Sequence, residues 1–101
     1  MKRTNDLGLE RELLEDGVLI VAFVMPNSIP CDHFLPEFKR FSEEMAMRTL
    51  LIDVDENPTI AKGLNVTDVP TTIVFRDGRQ IQKLEGPYSY EALVERIGRA
   101  K

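Results

Sequence analysis

The chain has 101 residues, 43% of them hydrophobic and 30% charged, which is enough for one domain with a single core and too few for two. Thirteen basic against seventeen acidic residues leave a net charge of −4, which offers the phosphate backbone of a nucleic acid little attraction and argues against nucleic acid as a partner. With one cysteine, Cys31, no disulfide can close inside the chain.

Met1-Lys2-Arg3 is basic, but residues 1 to 6 carry no signal for an ordered element, and Thr4 to Glu12 lacks the apolar segment of an export signal. A cytoplasmic location is therefore expected. Leu7, Leu9, Leu13 and Leu14, interleaved with Glu10, Arg11 and Glu12, predict an amphipathic first helix stopped by Gly17. Val18 to Val24 is continuous, rich in β-branched residues and bounded by Gly17 and Pro26, as a central strand covered on both faces should be. The longest apolar run, Val18 to Met25, is far shorter than the roughly 20 residues of a membrane-spanning helix, so no membrane partner is expected.

After the loop Pro26-Asn27-Ser28-Ile29, the stripe Phe34, Phe38, Phe41 and Met45 predicts a second helix with one face in the core. Pro30 suits its first turn, whereas Pro36 removes an internal hydrogen bond and predicts a bend. Thr49 to Val54 reads as the second strand, followed by a short helix with Asn57 as N-cap, Pro58 in its first position and Gly63 as its stop. Thr71 to Arg76 and Gln80 to Glu85 form a hairpin through Asp77-Gly78-Arg79. Tyr90, Leu93, Val94 and Ile97 mark a last helix, with Arg96, Arg99 and Lys101 near the negative end of its dipole.

The order α, β, α, β, α, β, β, α predicts an α/β fold, a mixed central sheet of about four strands with helices on both faces, in one domain over residues 1–101. In such sheets the working site lies beyond the carboxyl ends of the strands, here the loop after Val24 that carries Ser28 and Cys31.

Several pieces then stand in a particular order: VAFVMPNSIPC, Pro36 five residues after Cys31, DVDENP, DVPTTIVF followed by Asp77-Gly78, and EGPYS. Taken together, from about Leu7 to Ile97, they resemble thioredoxin. The resemblance implies a thioredoxin-like fold and a place among the thiol-disulfide oxidoreductases of cell redox homeostasis. Set on the family's W-C-G-P-C motif, Asn27 takes the tryptophan position, Ser28 the first cysteine and Ile29 the glycine, while Pro30 and Cys31 match. The first cysteine is the family's nucleophile, and a serine hydroxyl, protonated near neutral pH and without redox chemistry, cannot replace it. Cys31, the resolving position, sits deeper in the first turn, where cover opposes reactivity. The family also places a buried acid and a lysine on the first two central strands; the matching positions are Ala22 and Leu51. Val69-Pro70 matches the family's cis-proline turn, beside which a partner's extended chain pairs with the backbone.

Three functions follow from this pattern. The first is single-thiol exchange at Cys31 with protein or peptide thiols and disulfides, glutathione or an external reductase. The second is a non-catalytic module that holds a peptide with Asn27, Ile29, Pro30, Val69 and Pro70. The third is a Cys-to-Ser trap of an ordinary thioredoxin. The resemblance implies a monomer with no cofactor. A metal is not expected either, since Cys31, Asp32 and His33 lack ligand spacing, and His33 points about 200° from Cys31 on a helix. Asp53, Asp55 and Glu56 read as solvated surface.

Overall fold

A computed structural model describes residues 1–100; Lys101, expected near the end of the last helix, lies outside the described residues. The elements in chain order are β1 (Lys2–Arg3), α1 (Asp6–Glu12), β2 (Val18–Val24), α2 (Ile29–Met45), β3 (Arg48–Asp53), α3 (Pro58–Gly63), β4 (Thr71–Arg76), β5 (Arg79–Glu85) and α4 (Tyr90–Ile97). The sheet runs β1-β3-β2-β4-β5. β1 and β2 lie parallel to β3, β4 is antiparallel to β2, and β5 is antiparallel to β4.

The expected count of about four strands becomes five, because Lys2 and Arg3 pair with Leu50 and Leu51 on the outer edge of β3. Two charged residues show no alternation, so only their backbone pairing makes them a strand. The chain then turns into α1, where the Asn5 side chain caps the helix by accepting from the Gly8 N–H at 2.8 Å.

Period-two alternation along β2 divides the core into two layers. Ile20, Ala22 and Val24 face α2 and α4, where they join Cys31, Phe34, Phe38, Phe41, Leu93 and Ile97. Leu19, Val21 and Phe23 face the opposite way and pack with Leu9 of α1 and with Ile60 of α3. β2 is thus covered on both sides, which explains its unbroken apolar sequence. The α2 stripe is as the spacing predicts, with Phe34, Phe38 and Phe41 stacked at centroid separations of 5.3 and 6.5 Å. Replacing Phe38, which is fully buried in the middle of this stack, by alanine is expected to cost about 3–5 kcal/mol in a denaturant titration.

Some local expectations are corrected. α1 ends at Glu12 rather than running to Gly17, and Leu7 and Leu14 are exposed, so only Leu9 and Leu13 line its buried side. Gly17, at φ 98°, instead pairs with the hairpin turn: its N–H donates to Asp77 Oδ1 at 2.7 Å and its carbonyl accepts from the Asp77 N–H at 2.9 Å. Asn57 is the N-cap residue of α3 as expected, but its side chain makes no capping bond; it accepts from the Asp6 N–H and donates to the Asp53 carbonyl, linking α1 to the end of β3. Gly63 is the last residue of α3, and Asn65, at φ 57°, provides the left-handed turn beyond it. The hairpin turn is Asp77-Gly78, both at positive φ, and Arg79 already belongs to β5, opposite Arg76.

Candidate functional site

β2 delivers the chain to the carboxyl end of the sheet, where Met25, Pro26 and Asn27 form an exposed turn with Asn27 at φ 61°. Ser28 is extended, at φ −102° and ψ 123°, and is the N-cap of α2. Its Oγ accepts from the Cys31 N–H at 3.4 Å, and its carbonyl accepts from the Asp32 N–H at 2.9 Å. Ser28 thus serves the backbone as the cap of α2. Sequence reasoning missed this role, although a serine just before Ile29-Pro30 is itself a helix-start signal.

The next residues divide by depth. Ile29 is 71% exposed and Pro30 is exposed, whereas Cys31 is fully buried. The first turn of α2 therefore lies between the only thiol of the chain and solvent. Asp32 and His33 are both exposed, so His33 makes no partner for the inward-facing sulfur.

Val69-Pro70 comes to the same place at the start of β4. The peptide bond is cis, Pro70 is buried, and Val69 packs against the cluster that contains Cys31. Around it, Thr71 Oγ1 donates to the Asp68 carbonyl at 2.6 Å and the Pro70 carbonyl accepts from the Gly86 N–H at 2.9 Å. The fold therefore gathers Cys31 and Val69 in one cluster, with Ser28, Ile29 and Pro30 leading into it and Asn27 in the preceding turn.

Beneath the thiol, Ala22 and Leu51 are direct neighbours in the β2–β3 register, fully and almost fully buried, and both belong to the Cys31 cluster. No carboxylate or ammonium occupies these two positions. The floor of this cluster is hydrocarbon at both positions.

The family model for thioredoxin matches residues 2–99 of the chain. The chain belongs to the thioredoxin family. It is 34% identical over 84 residues to a thioredoxin of Staphylococcus aureus, covering 81% of each chain. Its fold superposes on the thioredoxin of Fasciola hepatica with a TM-score of 0.90 at 25% identity over the full length of both chains. On a mutant thioredoxin from Halobacterium salinarum the TM-score is 0.89 at 26% identity, covering 99% of this chain and 88% of the other. The protein is thus a thioredoxin-like member of an oxidoreductase family. The thioredoxin fold is built with two apolar layers around a mixed sheet and a helix starting at its carboxyl edge, and none of these parts depends on the first cysteine. Among the described residues no helix is long and apolar enough to cross a membrane, and no three His, Cys, Asp or Glu side chains gather to hold a metal ion.

Proposed function

We propose that this thioredoxin-like protein exchanges a single thiol, Cys31, with external disulfides of proteins or of glutathione, as a monomer in the cytoplasm. The observation that carries this reading is that the chain's only sulfhydryl lies buried one helical turn below the Ser28 hydroxyl, and the resemblance to the family's motif makes it the resolving position. In the forward step the Cys31 thiolate attacks one sulfur of the external disulfide, making a new S–S bond and releasing the other half as a thiolate. An external thiol, from glutathione or a reductase, then attacks the partner's sulfur in the mixed disulfide, forming a new external disulfide and releasing Cys31 as its thiolate.

Because Cys31 is buried, exchange requires the first turn of α2 to open, and the long 3.4 Å cap bond from Ser28 is a weak restraint on that opening. Exchange should therefore be slow. Incubation with glutathione disulfide followed by mass spectrometry is expected to show one glutathionyl group per chain, removed by dithiothreitol and absent from Cys31→Ser. Absence of the adduct from the folded parent chain after prolonged incubation would overturn the reading. The exposed Ile29 at the start of α2 favours, as a second reading, a surface that holds a partner's extended chain without chemistry. Unchanged binding of a cysteine-free peptide by Cys31→Ser, with no adduct on the parent, is the result expected of that second reading.

A further inference from the structure

The register places four side chains in one row across the sheet beneath α2: Leu51 of β3, Ala22 of β2, Thr72 of β4 and Leu84 of β5. Leu51, Ala22 and Leu84 belong to the cluster that contains Cys31, and Val74, two residues along β4 from Thr72, belongs to it too. Thr72 therefore presents its side chain to that same face. It is fully buried, and its Oγ1 has no hydrogen-bond partner among the described residues. An unpaired buried hydroxyl carries a desolvation penalty that a valine of the same shape would avoid.

The hydroxyl also has few places to turn. Its cross-strand neighbours are Ala22, the smallest side chain of the row, and Leu84. Overhead, α2 contributes Cys31 and three phenylalanines, and α4 contributes Leu93 and Ile97. The cluster's buried members include one group able to accept a strong hydrogen bond, the Cys31 sulfur once it has lost its proton. We propose that Thr72 is a positioning residue for Cys31, its hydroxyl donating to the sulfur when the thiol ionises for exchange. Thr72 would then supply from β4 part of the polar support that the apolar positions Ala22 and Leu51 do not provide. The inference deepens the single-thiol reading and rests on it.

The test is an equilibrium titration of the Cys31 thiolate by its ultraviolet absorbance, with Cys31→Ser as the blank for Tyr88 and Tyr90, which pack at the edge of the cluster. The other charged neighbours along α2, Asp32 and His33, are exposed and are the same in every variant. A hydrogen bond to a charged group is worth about 1.5–3 kcal/mol, so Thr72→Val is expected to lower the ionisation constant of Cys31 about tenfold or more. Thr72→Ala should do the same, and Thr72→Ser, which keeps the hydroxyl, should stay close to the parent. A purely structural hydroxyl would change the unfolding midpoint and leave the titration midpoint in place. Superimposed titrations of the parent and whichever of Thr72→Val and Thr72→Ala folds would overturn the proposal. Because the titration needs no disulfide, it reads the Thr72 contact whether or not Cys31 exchanges with glutathione, so the two readings fail separately.

Discussion

Replacing Ser28 by cysteine is expected to give a chain that closes an internal disulfide and, with dithiothreitol as reductant, reduces protein disulfides much faster than the parent does. The substituted thiol would take the N-cap position of α2, where the free N–H groups and the helix field stabilise a thiolate. Cys31 would lie one turn below it, with Pro30 between them as in the family motif. The gain should nonetheless fall short of a complete dithiol relative. General acid–base catalysis contributes about 10²–10⁴-fold, and the floor under this pair is Ala22 and Leu51. The measurement is the rate of reduction of a protein disulfide by Ser28→Cys beside that of an intact dithiol thioredoxin. Equal rates would show that the apolar floor carries no cost, and would make Ser28 the sole change from an ordinary enzyme.

Ala22→Asp tests that floor directly and is expected to be the most damaging conservative-sized change in the site. Ala22 is fully buried between Leu51 and Thr72, with no cation in the row. A carboxylate forced into it without a partner is expected to cost about 3–5 kcal/mol at neutral pH. The pH dependence has a definite sign. Burial disfavours the charged form, so the introduced carboxyl titrates higher in the folded chain than its unfolded value of about 3.9. The unfolded state then loses its proton first, and the penalty, absent below about pH 4, grows as pH rises until the folded group also ionises. Urea unfolding at several pH values should show Ala22→Asp approaching the parent in acid and diverging above. Adding Leu51→Lys, directly opposite in register, should recover part of the loss at neutral pH. A variant as stable as the parent at pH 7 would mean that water reaches the row.

Much of this architecture is written in local patterns. The β2 run, bounded by Gly17 and Pro26, and the phenylalanine stripe of α2 each state their burial through spacing, and the structure places both as the spacing requires. Elements that depend on distant partners are not legible in that way. β1 exists because Leu50 and Leu51 offer it a free strand edge, and α1 stops at Glu12 because the chain must reach the hairpin turn, where Gly17 and Asp77 bond across sixty positions. Asn57 looks like a cap from its neighbour Pro58, yet its side chain bonds to Asp6 and Asp53 once the tertiary fold brings them near. At the site, the missing sulfur was plain from Ser28, Pro30 and Cys31 in sequence. The capping role of Ser28 and the unpaired Thr72 hydroxyl were not, since one depends on the backbone angle at the helix start and the other on the register of three strands.

One sulfur does all the thiol chemistry of this chain, so no pair of electrons can be stored in an internal disulfide. The measurement closest to this point is dithiothreitol-driven reduction of a protein disulfide by the purified protein, followed over many equivalents of substrate. Turnover is expected to be far below that of a dithiol thioredoxin, passing only through a mixed disulfide at Cys31 that dithiothreitol resolves. Sustained turnover at the rate of a dithiol thioredoxin, lost on Cys31→Ser, would contradict this.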